Sequence, residues 1–391
     1  MELNISGIKR NGEYSIVYST TSCVIFQKYS KILNENRNKI DDNSQGWNKI
    51  KKIVNPYELL HISYYRSKND SIAKYSPISR SYFKMIEILN DYKLLEDYRT
   101  TNITVSCLAE GPGGFMEAIS NYRKRYVNSN DDKIYGITLK PTDKDIPGWM
   151  KIAKNIPKNL RIFYGNLYKI DDILNYTNLF VDNKAELITA DGGFDYSVDF
   201  NNQESLSFRI IFCEIITALS IQKNGGNFVC KIFDIFNIFT VKMIAIIGLY
   251  YDRVYISKLK TSRIANSEKY IIAKGFKGIS RDELDNFHKI IREWDINNDA
   301  ELGNISDIVG IKLTNDFIHD INEYNEKYVE NQLLYMNKIL NYINNGISSD
   351  EKNMLIKDQI NNGIMWCKKY NIMINKNSIY ITSLKDYQSQ V

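Results

Sequence analysis

The feature that most constrains the fold of this 391-residue chain is an apolar strand that leads through a glycine-rich turn into a helix. Residues 103–108 (ITVSCL) form the strand, residues 111–114 (GPGG) the turn, and Phe115 to Tyr126 the helix. Such a turn lets the backbone approach a ligand closely and directs free helix amides at it. Similar turns also occur for packing reasons alone. The pattern favours a ligand-binding loop and leaves a purely structural turn open.

Strands and helices continue to alternate through the middle of the chain. A helix beginning at Ser79 precedes the first strand, and a long helix is predicted over Glu204 to Gln222. Further strands are predicted at Lys133 to Leu139, Arg161 to Tyr164, Ala185 to Ala190 and Phe228 to Phe233. This alternation is typical of an α/β fold with a mostly parallel sheet covered on both faces. The last two strands, Arg253 to Ser257 and Lys269 to Lys274, are joined by a loop too short for a crossover helix, so we expect them to pair antiparallel.

The basic charge of the chain is concentrated at its N-terminal end. Residues 1–80 hold 13 Lys and Arg against 7 Asp and Glu, a net charge of +6, whereas the whole chain carries +5. We therefore expect residues 1–78 to form a basic segment, with a strand over Tyr14 to Ile25. Interleaved tyrosines suit a segment that tracks a phosphate backbone and stacks on bases, namely Tyr57, Tyr64, Tyr65 and Tyr75. A solvated charged face fits the same residues equally well.

The C-terminal region, residues 281–391, has helical periodicity and alternating charges. Helices are predicted over Phe287 to Trp294, Asp316 to Ile343 and Glu351 to Lys369. These helices offer a surface for another protein, although charge-alternating helices more often face solvent only. The chain is thus divided into a basic segment (1–78), an α/β domain (79–280) and a helical extension (281–391).

Composition argues against several other classes of protein. The five cysteines form no CxxC pair and there are only three histidines, so we expect neither a disulfide framework nor a metal site. The first residues lack an apolar signal core, and the most apolar stretch, Ile235 to Tyr250, is interrupted by Asn237 and Lys242. We therefore expect a soluble, intracellular protein with no membrane partner.

Ionisable residues stand at or beside the ends of the predicted strands. Asp191 closes one strand, Lys231 lies in the next, and Glu110 precedes the glycine turn. Ligands of an open parallel sheet gather outside the carboxyl ends of its strands, where these three side chains should meet. A lysine on an edge strand would be a structural alternative for Lys231, and a turn cap would be one for Asp191. The apolar neighbours of Lys231 favour a functional role, since a partly buried lysine needs an acidic partner.

Six motifs, taken together and in order, resemble a known family. They are SRSYFKMIEIL, LAEGPGGF, IYGITLK, ITADGGFD, GGNFVCKIFD and KLKTSRIANSEKYIIAKGF, spanning residues 79–280. The chain resembles the FtsJ-like RNA ribose 2'-O-methyltransferases, particularly the cap-specific mRNA enzymes of eukaryotes and large DNA viruses. The resemblance implies a Rossmann-like methyltransferase sheet whose last strand is antiparallel, and S-adenosyl-L-methionine as cofactor. It also implies capped mRNA as partner and a location in the cytoplasm, in a viral factory or virion, or in the nucleus.

The resemblance also assigns site residues. The family's Lys-Asp-Lys-Glu tetrad falls on Lys84, Asp191, Lys231 and Glu268. The donor is expected to contact Glu110, Gly111, Pro112, Gly113, Gly114, Phe115, Thr138, Asn166 and Asp191. The second strand ends in Thr138-Leu139-Lys140 instead of an acid, so the contact to the donor's ribose stays unassigned. Candidate RNA contacts are Lys258, Lys260, Arg263 and Ser267, whereas Arg123, Lys124 and Arg125 are expected on the solvent face of a helix.

Two questions about the implied reaction stay open at this stage. Lys231 either accepts the proton of the ribose hydroxyl as a neutral amine or stabilises the developing alkoxide as a cation. The substrate is either capped mRNA or ribosomal or transfer RNA, because the tetrad is common to both groups of enzymes. A non-catalytic RNA-binding or polymerase-accessory subunit on the same fold is the third reading, and the C-terminal helices are candidates for docking capping machinery.

Overall fold

The fold is given by a computed structural model, which describes residues 1–19, 23–41, 44–63, 70–125, 131–140, 160–193, 201–296 and 305–388. Tyr64, Tyr65 and Tyr126, named above, lie outside these ranges. The strands are β1 (Lys9–Tyr18), β2 (Thr104–Leu108), β3 (Lys133–Thr138), β4 (Leu160–Tyr164), β5 (Ala185–Ala190), β6 (Gln222–Ile232), β7 (Tyr251–Ser257), β8 (Lys269–Phe276) and β9 (Ile305–Lys312).

The helices lie before, between and after these strands. They are α1 (Gln27–Asp41), α2 (Ser44–Val54), α3 (Ser81–Asp91), α4 (Gly114–Arg123), α5 (Ile170–Thr177), α6 (Gln203–Leu206), α7 (Phe208–Ile221), α8 (Ile238–Tyr250), α9 (Arg281–Ile296), α10 (Asn315–Asn345), α11 (Ser349–Lys369) and α12 (Ile379–Gln388). None of these helices, within the described ranges, is long and apolar enough to cross a bilayer.

Seven strands form one mixed sheet in the order β4-β3-β2-β5-β6-β8-β7. β2 to β6 pair in parallel, while β8 runs antiparallel to both of its neighbours. The predicted α/β fold class and the antiparallel pairing of the last two strands are confirmed. β6 lies inside the sheet, so Lys231 does not sit on an edge strand.

Alternate residues of the central strands face two different apolar layers. Cys107 and Val229 pack against the α3, α4 and α11 side, whereas Leu108 and Cys230 pack against the α5, α7, α8 and α9 side. Because side chains of a strand alternate between faces, a sheet buried on both sides needs an almost continuous apolar run. The strands flanking the site have that composition.

The prediction for the chain's two ends needs correction. The N-terminal strand runs over Lys9–Tyr18, not Tyr14 to Ile25, and it pairs antiparallel with β9, a strand in a region where only helices were predicted. α1 and α2 pack on α10, with Leu33 and Trp47 in one buried cluster with Met336 and Ile339. The basic segment and the C-terminal extension are thus packed against each other. The helices predicted beyond residue 281 are all present, as α9, α10 and α11.

Two further differences concern helices around the sheet. The predicted helix over Glu204 to Gln222 is two helices, α6 and α7, and the glycine pair expected to close it lies within β6. Gly225 has a φ of +77° there, at an irregularity in the β5–β6 pairing. Helix α8 was not predicted, because nearly all of its side chains are buried and it lacks amphipathic periodicity.

Arg123 is buried, which corrects the expectation that it lies on a solvent face. Its guanidinium donates to both oxygens of Asp132, at 2.6 and 2.9 Å, and to the carbonyls of Tyr98 and Thr101. The carboxylate of Asp132 also accepts the amide of Ile103, at the start of β2. Arg123 therefore joins the end of α4 to the segments before β2 and β3.

We expect Arg123→Met to lower the free energy of unfolding by about 3–5 kcal/mol, because it leaves the buried Asp132 without its cation. Chemical denaturation measures this change. Lys124→Met, one position along and exposed, serves as the control and should change the unfolding free energy by no more than about 0.5 kcal/mol. Equal losses for both variants would contradict a structural role specific to Arg123.

Candidate active site

The register of three strands brings three of the four predicted tetrad residues together. Ala190 pairs with Cys230 in the parallel β5–β6 ladder, so the next residues, Asp191 and Lys231, lie side by side. In the antiparallel β6–β8 ladder Lys231 pairs with Tyr270. Glu268, just before β8, thereby reaches the same end of the sheet.

The four side chains form two ion pairs, Lys231 with Asp191 and Lys84 with Glu268. Lys231 Nζ lies 3.2 Å from Asp191 Oδ1 and donates to the main-chain carbonyl of Asp191 at 2.8 Å. Lys84 Nζ, from α3, lies 2.7 and 2.8 Å from the two carboxylate oxygens of Glu268. The side chains are only 13–18% exposed, so solvent screens these pairs much less than it screens surface ion pairs.

The charges in this cluster shift one another's pKa values. Burial would raise the pKa of Glu268, but Lys84 and Lys231 outweigh it and lower this pKa to about 2. Burial would lower the pKa of Lys231, but Asp191, Glu268 and Glu214 outweigh it and raise this pKa. At neutral pH, Glu268 is therefore ionised and Lys231 carries its proton in the free protein.

The tetrad borders a cavity of about 480 Å³ at the carboxyl ends of the strands. This volume is within the range typical of small-molecule sites. The predicted site residues that line it are Gly111, Thr138, Asn166, Asp191, Lys231 and Glu268. Lys84 is not part of the lining and reaches the cavity through its bond to Glu268. Leu139, Leu167, Tyr168, Ile210 and Phe233 add apolar surface.

The rest of the glycine turn does not line this cavity. Gly113 has a φ of +103°, a conformation that favours glycine, and a Cβ on Gly114 would lie 2.1 Å from Ser81 Oγ. The carboxylate of the buried Glu110 accepts the amides of Phe115 and Met116. The cavity lining does not include Glu110, Pro112, Gly113, Gly114 or Phe115. The amides of Phe115 and Met116, at the start of α4, face Glu110. Of the turn, Gly111 lies at the surface of the cavity.

Three of the four candidate RNA contacts make bonds within the protein. Lys258 Nζ donates to the carbonyl of Glu268 at 2.9 Å, and Arg263 donates to both carboxylate oxygens of Glu58 at 3.0 and 2.7 Å. Ser267 donates to the side chain of Gln203. Burial lowers the pKa of Lys258 to about 7. Lys260 is the exposed member of the four, and its assignment as an RNA contact stays a prediction.

The structure adds two side chains that the sequence reasoning missed. The hydroxyl of Tyr270 lies 3.3 Å from Asp191 Oδ1, and the Glu214 carboxylate accepts the amide of Gly192 at 2.8 Å. Burial raises the pKa of Glu214 to about 8. Tyr270 is two residues after Glu268 and could have been found from the antiparallel register. Glu214 lies on α7, outside the strand-end motifs, so its contact with Gly192 could not be predicted from those motifs.

A second cavity, of about 180 Å³, adjoins the first. The two share Gln203, Phe233 and Glu268 in their linings. The second is also lined by Arg37, Trp47 and Lys51 of the basic segment and by Gln332 and Met336 of α10. The two cavities are therefore neighbours, and the lining of the second includes cationic and aromatic residues.

Comparison with known proteins finds a family and several relatives. The model of the FtsJ-like methyltransferases matches residues 77–276, half of the chain. A cap-specific mRNA (nucleoside-2'-O-)-methyltransferase 1A of Caenorhabditis briggsae is 32% identical over 281 residues, covering 68% of this chain and 30% of the relative. A protein of the same organism named an inactive cap-specific mRNA (nucleoside-2'-O-)-methyltransferase 1B is 30% identical, covering 68% and 32%.

The human cap-specific mRNA (nucleoside-2'-O-)-methyltransferase 1 is 27% identical over 326 residues, covering 78% of this chain and 38% of the relative. The chain spans about a third of the length of these relatives. The family match covers the strands and helices that carry all four tetrad residues. The chain belongs to the FtsJ-like methyltransferase family.

Proposed function

We propose that this protein transfers the methyl group of S-adenosylmethionine to a ribose 2'-hydroxyl of RNA, at the first transcribed nucleotides of capped mRNA. The observation that carries the proposal is the contact of Lys231 with Asp191 and of Lys84 with Glu268 at the edge of one cavity. The names of the relatives support the choice of capped mRNA.

The residues of the larger cavity fit the methyl donor. Asp191 supplies an anion for the donor's cationic amino and sulfonium groups, and Gly111 allows close approach to the backbone. Apolar side chains, Ile137, Leu139 and Leu167 among them, suit the adenine ring. When bound, the donor supplies an activated methyl group on a good leaving group. The protein then needs to align the acceptor hydroxyl and remove its proton.

Lys231 is the residue we propose for proton removal. Its two hydrogen bonds go to the carbonyl and the carboxylate of Asp191, which leaves one position on the nitrogen. That position holds the third proton of the cation or the lone pair of the neutral amine. In the neutral form, Lys231 accepts the proton of the ribose hydroxyl while Asp191 holds the nitrogen in place.

The other tetrad members influence how readily Lys231 loses its proton. Asp191 and Glu268 favour its charged form, and Lys84 reduces the effect of Glu268 by pairing with it. A cationic donor in the same cavity also disfavours the charged form of Lys231. Donor binding should therefore lower the pKa of Lys231 relative to the free protein and increase the fraction of its neutral form.

The second cavity and the basic segment are the proposed path of the RNA. The lining of the second cavity includes the aromatic residue Trp47 and the cation of Lys51, whereas the charge of Arg37 is paired with Asp234. Exposed lysines of α1 and α2 continue this charge over the surface, namely Lys28, Lys31, Lys39 and Lys49. Phosphate contacts of this kind position the substrate without reading its sequence.

A non-catalytic role is the second candidate, and one observation favours it: a relative of similar identity carries the word inactive in its name. Family membership therefore does not establish activity. The contacting tetrad of this chain favours an active enzyme.

We expect the protein to methylate capped RNA, and Lys231→Ala to lower the rate at least about 100-fold while donor affinity changes little, because the lysine acts on the acceptor hydroxyl. Transfer from labelled donor to RNAs that differ only in the cap measures the rates. Equal rates on capped and uncapped RNA would contradict the cap assignment. An inactive wild-type protein that still binds RNA would favour the non-catalytic candidate.

We expect kcat to rise with pH between about pH 6 and 9, approaching tenfold per unit, because only the neutral amine of Lys231 accepts a proton. The sign follows from the raised pKa of this lysine, which keeps it charged at the lower pH values. Single-turnover rates at saturating donor measure the profile, and donor affinity over the same range is the control. A flat profile would show that Lys231 acts as a cation.

Replacing Lys28, Lys31, Lys39 and Lys49 with Gln should weaken RNA binding and reduce the slope of log affinity against log salt by up to about 0.7 for each phosphate that a lysine no longer neutralises. Donor affinity should not change, since these lysines lie outside the donor cavity. The matched control replaces four exposed lysines of α9 and α11, namely Lys289, Lys352, Lys357 and Lys368. Equal effects of both sets would show that the basic segment has no special role.

A further inference from the structure

The loop that ends at Glu268 is held by residues from outside its own strands. We call residues 258–268, between β7 and β8, the catalytic loop. Glu58, in the basic segment, pairs with Arg263 of this loop, and Gln332 of α10 donates to the carbonyl of Ala265 at 3.0 Å. The position of Glu268 therefore depends on contacts far from it in sequence.

Glu87 makes the largest set of these contacts. It lies on α3, one helical turn after Lys84, and is 3% exposed. Its carboxylate accepts the amides of Lys260 and Thr261, at 2.6 and 3.2 Å, and the hydroxyl of Thr261 at 3.0 Å. One buried carboxylate thus joins the helix that carries Lys84 to the loop that carries Glu268.

A fourth donor to Glu87 comes from the C-terminal extension. The indole Nε1 of Trp366, on α11, donates to Glu87 Oε2 at 3.3 Å, the same oxygen that accepts the hydroxyl of Thr261. The indole ring also packs against Phe83, the neighbour of Lys84, with ring centroids 5.5 Å apart. Trp366 therefore touches the group that links the two halves of the Lys84–Glu268 pair.

We propose that helix α11 of the C-terminal extension positions the catalytic loop through Trp366 and Glu87, so that Trp366 is a positioning residue for methyl transfer. A buried carboxylate with four donors has one orientation, and losing a donor lets it rotate or attract water. The two loop amides then lose their fixed acceptor, and Glu268 moves relative to Lys84 and Lys231. Misplacement by a fraction of an ångström slows a reaction that depends on alignment.

Trp366→Phe tests this proposal, because it removes the indole donor and retains an aromatic ring beside Phe83. The effect on rate rests on the proposed function, so the experiment has two readouts. We expect kcat on capped RNA to fall about threefold to tenfold with an unchanged KM for the donor, as loss of one buried hydrogen bond implies. Amide hydrogen exchange of Lys260 and Thr261 should quicken by a similar factor, and this readout needs no activity.

The matched control is Tyr370→Phe, at the residue that directly follows α11 as its C-cap. It removes a hydroxyl that donates to Asp91 at 2.9 Å and leaves a ring against Trp366, with no bond to Glu87. We expect wild-type kcat and wild-type exchange in the catalytic loop. A change equal to that of Trp366→Phe would overturn the proposal, because general loosening of α11 would then explain both.

Thr261→Val removes the hydroxyl that donates to Glu87 from the catalytic loop. This variant still tests the proposal if Trp366→Phe fails to fold. We expect it to lower kcat and quicken exchange of the loop amides, and the double variant to show less than the product of the single effects. Wild-type rate and wild-type exchange in both single variants would overturn the proposal. An inactive wild-type protein with the predicted exchange pattern would contradict the proposed function and leave the positioning by Trp366 supported.

Discussion

Two lysines share a poorly solvated cavity edge in this protein only because each one touches a carboxylate. Burial alone would lower the pKa of Lys231, and the carboxylates of Asp191 and Glu268 are the main groups that outweigh burial and keep this lysine charged. The contacts of 2.7–3.2 Å within the two pairs are therefore the interaction on which the site depends. The rest of the structure holds these four groups at that distance against the tendency of charged side chains to reach water.

Three levels of structure achieve this. The parallel β5–β6 register places Asp191 beside Lys231, and the antiparallel β8 strand returns Glu268 to the same end of the sheet. Helix α3 contributes Lys84, which contacts Glu268 at that end. Outside the sheet, Glu58, Gln332 and Trp366 reach the catalytic loop or its partner Glu87 from segments at both ends of the chain. The flanking segments thus contribute to the site without lending it a tetrad residue.

The central sheet and the unusual position of Lys231 could be predicted from the sequence, because strands buried on both faces leave apolar runs and a lysine within such a run stands out. The assignment of the four tetrad residues came from the family resemblance. The contacts between residues far apart in the sequence could not be predicted. Arg123 has the local sequence of a surface position, but it is buried in an ion pair with Asp132, which lies nine residues later in the chain. β9 pairs with a strand almost 300 residues away. The roles of Arg263 and Glu87 depend on side-chain contacts that no local pattern records.

The most direct test of the account is the position of the transferred methyl group. Capped RNA is incubated with the protein and labelled S-adenosylmethionine, digested with nuclease and analysed by mass spectrometry. The proposed function predicts a 2'-O-methylated ribose in a nucleotide next to the cap, and no label after Lys231→Ala. Label on a base or on the cap guanine, with the ribose 2'-hydroxyls unmodified, would contradict it.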